Sequence, residues 1–235
     1  MTETARLAEE QSATEETITG ARRQSLTLGG AFREFLRHPS PWMMATVLAG
    51  AVTWRIAEGD WQTSDLWGPV LFVALFPVME WTIHVFILHW KPRQVGPVKI
   101  DTQLASAHRR HHRDPRDLPL VFIPWQTLIF VILGLVGIPL LAFPRIGAAL
   151  SFVILVSVVG LVYEWMHYLM HTDYRPKSRA FRKVWRNHRL HHFKSEKYWF
   201  TVTTAGTADR LFGTCPDPAT VPTSPTAKNL HALDA

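Results

Sequence analysis

Cysteine is almost missing from this chain: Cys215 stands alone among 235 residues. An intrachain disulfide is therefore excluded, and a thiolate metal site is disfavoured. Charge is missing where it would normally keep a surface wet. Between residues 118 and 171 only Arg145 and Glu164 are charged, so that stretch is too apolar for a water-facing surface. The N-terminus has no basic run feeding an apolar one, and no secretory signal peptide is expected. A formal charge of +6 could suit nucleic acid. The basic residues instead flank apolar segments, which points to a membrane face and to no nucleic-acid partner.

What the chain has in excess is histidine. Ten of its twelve histidines fall into four clusters, leaving out His38 and His231. The first half carries His84 and His89, then His108, His111 and His112. The second half carries His167 and His171, then His188, His191 and His192. Each half thus reads as a pair followed by an H-x2-H-H triplet, which suggests two equivalent half-sites and two metal ions. Imidazole is the commonest neutral metal ligand, and i, i+3 and i+4 neighbours share a helix face. His84 and His89 are the exception, lying about 140° apart on a regular helix. They can meet one centre only if the helix frays, or else they serve different ions. Solvated surface histidines would not be expected to repeat this pattern twice.

In chain order, residues 1–25 are polar and without apolar periodicity, and read as a disordered tail. Residues 26–41 place Leu28, Phe32, Phe35 and Leu36 on one stripe, an amphipathic helix for a membrane interface or a protein core, with His38-Pro39-Ser40-Pro41 ending it. Residues 42–215 form the main domain, with apolar segments at Trp42 to Ile56, Trp67 to Leu88, Leu118 to Phe143 and Ile146 to Leu169. The first is the shortest and ends near Arg55. Residues 216–235 read as a flexible tail with little to bury. The fold expected is an all-α integral membrane protein of about four transmembrane helices, with a histidine-rich helical cap holding a dimetal site. With four spans, all basic stretches and every histidine cluster lie on one face, cytoplasmic by the positive-inside rule, together with both termini. Glu58 to Asp65 is an acidic connector for the other side.

Glu80 and Glu164 sit near the ends of two apolar segments, one helical turn before His84 and His167. A metal-bound histidine usually donates its second N–H to an acceptor, so these carboxylates are candidates to orient the ligands. An all-nitrogen donor set suits iron, zinc or copper rather than magnesium or calcium. Two such ions beside an apolar bundle suggest O2 chemistry on a lipid.

The full histidine pattern resembles the fatty acid hydroxylase superfamily of membrane di-iron enzymes, which includes sterol oxidases and desaturases. The stretch HHFK…YWFTVT…DRLFGT from His191 to Thr214 is similar to the fatty acid 2-hydroxylase pattern HHxK…GFGVT…D.LFGT. Trp199 and Thr201 stand where that pattern has glycine. The resemblance implies two Fe held by the ten histidines, with zinc able to substitute in a purified sample. It further implies O2 as co-substrate and a lipid substrate, a fatty acyl chain first. Residues 1–40 are too short for a fused haem domain, so electrons would come from a separate ferredoxin or cytochrome b5-like donor and its reductase. Arg109, Arg110, Arg113, Arg182, Lys183 and Arg186 offer such an acidic carrier a dock. Sterol, carotenoid and headgroup oxidation remain alternatives, as do desaturation, a metal transporter and a metal-stabilised scaffold.

Overall fold

The computed structural model describes residues 26–232. The expected disordered tail at 1–25 lies outside these residues. The first helix, α1 (Leu28–Phe35), starts where the Thr27 side chain accepts from Gly30 N at 3.1 Å. Its stripe divides: Ala31 and Phe35 are buried, while Leu28 and Phe32 stay exposed. The proline pair does not simply end this helix. Pro39 opens α2 (Pro39–Glu58), the helix position where its missing N–H costs nothing.

Helix α3 (Trp67–Thr82) continues into a π-helical turn, Ile83–Leu88. A short antiparallel hairpin follows, β1 (Arg93–Val95) with β2 (Val98–Ile100). This amends the all-α expectation, because Gly96 at φ +58 supplies the left-handed step of a two-residue turn. Then come α4 (Gln103–Arg113), α5 (Trp125–Ala142), α6 (Ile146–Met170), α7 (Arg179–Phe193) and the short α8 (Thr207–Leu211).

Three helical stretches among the described residues are long and apolar enough to cross a membrane: Thr63–Leu88, Leu118–Ala142 and Ile146–Met170. Apolar side chains such as Val70, Leu71, Phe130 and Leu141 point outward from them, as a lipid-facing surface requires. This is a mostly helical membrane protein. Helix α2 carries Arg55 into its last turn and packs along α6, with Ala51 meeting Leu150 and Val153.

The two arginines of the apolar region are both answered by the acidic connector. Arg55, 1% exposed, pairs with Asp65 at 2.8 Å, and its guanidinium lies 3.6 Å over the Trp61 ring. Arg145 reaches Asp65 at 3.3 Å and Asp60 at 3.0 Å. A buried charge that is paired and hydrogen-bonded avoids most of its desolvation cost. This network ties α2 to the start of α6 at the end of the bundle remote from the histidines.

Candidate metal centre

All ten clustered histidines converge at one end of the bundle. Helix α4 starts at Thr102, whose side chain accepts from Ala105 N, and α7 starts at Ser178, which accepts from Phe181 N. Both caps set the rotation of a helix that presents three imidazoles inward. The spans α3 and α6 bring His84, His89, His167 and His171 to the same level.

The imidazoles separate into two groups of five. One holds His84, His89, His108, His112 and His191; the other holds His111, His167, His171, His188 and His192. Within each group, one ligand atom from each residue lies within 4.8 Å of all the others. The grouping does not follow the halves of the chain. Each group takes four histidines from one half and the middle histidine of the other half's triplet.

Helix geometry explains the exchange. At about 100° per residue, the fifth position of an H-x2-H-H triplet lies about 40° to one side of the first, and the fourth about 60° to the other. The first and last rings therefore meet, with Nε2 atoms 3.1 Å apart in both His108–His112 and His188–His192. The middle ring points across. His111 Nε2 lies 3.1 Å from that of His171, and His191 Nε2 lies 3.2 Å from that of His89. The two half-sites suggested by the repeat are thus not one per half of the chain.

The His84–His89 problem is solved differently from either option the sequence left open. The helix neither frays nor sends the two rings to different groups. His89 N bonds the His84 carbonyl at 3.0 Å, an i to i+5 step, and this wider π turn carries five residues round to the same side.

The donor set fits metal ions. Two ligands about 2.1 Å from a shared ion and at right angles to each other stand about 3.0 Å apart. The Nε2 separations run from 2.8 Å for His171–His188 to 3.2 Å for His89–His191. Both ring nitrogens of His84 and Nε2 of His167 are buried without a protein partner among the described residues. Burial, reinforced by neighbouring imidazoles, holds His89, His108, His111, His112, His171, His188 and His192 well below the ordinary histidine range. Burial draws His191 down to about 4. At neutral pH the rings are uncharged, with lone pairs free for a cation.

Backbone carbonyls, not carboxylates, fix three of the rings. His112 Nδ1 donates to Ala227 O at 2.9 Å, His191 Nδ1 to Tyr198 O at 2.8 Å, and His167 Nδ1 to Val121 O at 3.1 Å. Each bond leaves Nε2 facing its group. Glu80 and Glu164, expected to bond histidines directly, make no such bond among the described residues. Glu80 accepts from Val202 N at 2.9 Å, Thr203 N at 2.7 Å, and the Thr203 and Thr204 hydroxyls at 2.7 Å. Glu164 accepts from the Ser40 hydroxyl at 2.9 Å and Ile123 N at 3.1 Å. Their partners are loop amides and hydroxyls, with the Ser40 hydroxyl from the first turn of α2, because α3 and α6 aim these side chains across the bundle. They hold the loops whose carbonyls, Tyr198 and Val121, hold His191 and His167.

Two contributors escaped sequence reasoning. Asp209, fully buried, accepts from Phe200 N, Thr201 N and the Thr201 and Thr214 hydroxyls at 2.5–2.9 Å. It lies in the DRLFGT run, which was the available signal. The C-terminal segment is the other. Val221, Ala227 and Leu230 are buried, Ser224 N bonds Lys194 O at 2.7 Å, and the Thr226 hydroxyl bonds Glu196 at 2.5 Å. The expected flexible tail packs against the histidines through 232. His231 stays outside both groups, bonding the His89 carbonyl at 3.1 Å. Trp199, at a glycine position of the resembled pattern, has φ +57, a backbone that glycine adopts freely.

Comparison with known proteins gives the family. The family model for fatty acid hydroxylase matches residues 69–214. The dihydroceramide fatty acyl 2-hydroxylase FAH2 of Arabidopsis thaliana is 28% identical over 190 residues, covering 79% of this chain and 77% of that protein. The fatty acid 2-hydroxylase of Rattus norvegicus is 28% identical over 137 residues, covering 57% of this chain and only 36% of that one. The solved full-length scs7p, in which only the hydroxylase domain is visible, superposes with a TM-score of 0.57 at 19% identity, over 83% of this chain and 68% of that one. That last likeness speaks to the fold. With the family model spanning more than half of the 235 residues and both triplets inside it, the chain belongs to the fatty acid hydroxylase family and is a lipid-hydroxylating enzyme.

Proposed function

We propose that this enzyme hydroxylates a fatty acyl chain at a di-iron centre, with five histidines on each ion, using O2 and electrons from a separate redox protein. The observation that carries the reading is the pair of neutral five-imidazole groups set side by side at the end of an apolar bundle. Bound iron would supply the oxidising power toward an unactivated C–H bond that no side chain possesses.

The protein's own part is geometry and exclusion of water. The Phe200 ring packs 5.3–5.5 Å from the rings of His84, His89 and His191, closing that side of the first group. A groove of about 250 Å³ between α3 and α6, walled by Phe72, Phe76, Val162 and Met166, runs up to Thr203 and Thr204. It suits an acyl chain entering from the membrane. The topology that fits best has four spans, α2 included, with the histidines and basic loops on the cytoplasmic side. The donor would meet Arg110, Arg113 and Lys183 there, because Arg109 is taken up by Asp101 at 2.6 Å.

The test is reconstitution. Full-length protein loaded with ferrous iron, supplied with O2, a ferredoxin or cytochrome b5-like donor, its reductase and acyl lipids, should yield a lipid heavier by one oxygen. Loss of product on iron removal, and its return on iron but not zinc addition, would support the assignment. Hydroxylation by the zinc-loaded protein would sink it.

A further inference from the structure

Helix α7 has a second charged face. Arg182, Arg186 and Arg189 follow one another at i, i+4 and i+7, forming a stripe turned away from His188, His191 and His192. Like charges at this spacing destabilise a helix unless something answers them. Arg116, from the loop after α4, and Arg175, from the turn after α6, close on the same stripe. The five arginines line a cleft of about 640 Å³ whose one acidic side chain is Asp173. Arg116 stands 3.9 Å from the Asp173 carboxylate, with both side chains exposed. Arg189 is held between two rings, its guanidinium carbon 4.7 Å from the Trp185 ring centroid and 5.3 Å from that of Phe193. Net positive charge, a rigid guanidinium and an open cavity together ask for an anion.

The height of the cleft says which kind. Its wall begins at Thr172, two residues beyond Met170, where the apolar stretch Ile146–Met170 ends. Tyr174 and Trp185 also line it, aromatic types that favour the layer between hydrocarbon and water. Guanidinium forks bind phosphate oxygens two at a time. We propose that this cleft binds the phosphate of an anionic phospholipid headgroup, at a site separate from the histidine groups and from the carrier-facing residues Arg110, Arg113 and Lys183.

The experiment uses the full-length chain in detergent, with native mass spectrometry after adding phosphatidylglycerol or phosphatidylcholine. Wild type should retain phosphatidylglycerol and not phosphatidylcholine. The double variant R182A/R186A should lose affinity at least about tenfold, since two charge-assisted contacts go. The control R179A/K183A removes the same charge from the same helix outside the cleft and should bind as wild type does. Equal losses in both variants would reduce the effect to diffuse charge and overturn the site. So would unchanged retention in R182A/R186A. A thermal-shift arm with inorganic phosphate separates the sources. Stabilisation by phosphate, with no phosphatidylglycerol retained, would overturn the lipid assignment in favour of a soluble anion. Normal lipid retention in R182A/R186A with impaired donor-dependent turnover would give the arginines to the redox carrier instead.

Discussion

His112 donates through Nδ1 to the carbonyl of Ala227, 2.9 Å away and 115 residues along the chain. The bond fixes the ring tautomer and leaves Nε2 for the first histidine group. Its acceptor belongs to a segment outside the matched family region, which ends at residue 214.

Removal of the residues after Pro222 should therefore weaken the first group while sparing the second. Loss of such an outer partner typically costs about 10–100-fold in metal affinity. Elemental analysis after a mild chelator wash should find roughly one ion fewer per chain than in wild type, with helical circular dichroism unchanged. Full metal content in the shortened protein would mean that Ala227 does not matter.

Glu80 makes a second prediction. Alanine there would strand the buried amide of Val202 and the half-buried amide of Thr203, each at about 1–3 kcal/mol with the second toward the lower end. E80A should therefore cost about 2–6 kcal/mol locally and loosen the loop that carries Tyr198 O. Glutamine keeps an oxygen for three of the four donors, and the Thr204 hydroxyl can turn to accept from the new amide. E80Q should stay close to wild type in melting temperature and metal content, and E80A should not. Equal tolerance of both would refute the loop-anchoring role.

These residues also show where the sequence runs out. Apolar length marked the spans, and the repeated histidine spacing marked the ten site residues. Which ring joins which group was not visible, because it depends on how α4 and α7 face each other. The π turn at Ile83–Leu88 has no composition of its own; it is read from the His89 N to His84 O bond. Glu80 was read along its own helix, where His84 is the nearest polar neighbour, yet its partners lie about 120 residues away. The C-terminal segment looked unable to bury anything because, among its described residues, only Val221, Ala227 and Leu230 do so. Its anchoring is mostly polar and backbone-mediated, which composition does not report.

Acidity gives a third test. Burial depresses these histidines in the folded chain, His191 to about 4, and neighbouring imidazoles push others such as His188 down further. An unfolded histidine titrates near 6.5, so below that value the unfolded chain binds more protons than the folded one. Stability is complete above about pH 6.5 and falls as the pH drops toward 4, with His191 alone contributing about 3 kcal/mol. Metal retention should fall in the same window, since ligation needs neutral rings. Melting temperature and metal content measured from pH 8 to 4.5 should decline together. A flat profile to pH 4.5 would contradict the buried, neutral set.

The exchange of middle histidines gives the sharpest test, because two double variants reverse their behaviour under the two assignments. In the structure His89 and His191 share a group, their Nε2 atoms 3.2 Å apart, whereas His111 stands with His171. H89A/H191A thus takes two ligands from one group and none from the other. It should keep one ion with wild-type tenacity and lose the second at low chelator, giving a two-step titration. H89A/H111A takes one ligand from each group, so no complete set of five remains. Both ions should then leave together at intermediate chelator. If each half of the chain served its own metal, His89 and His111 would be partners and the two profiles would change places. Chelator titrations followed by elemental analysis, at matched expression and helical content, decide between them.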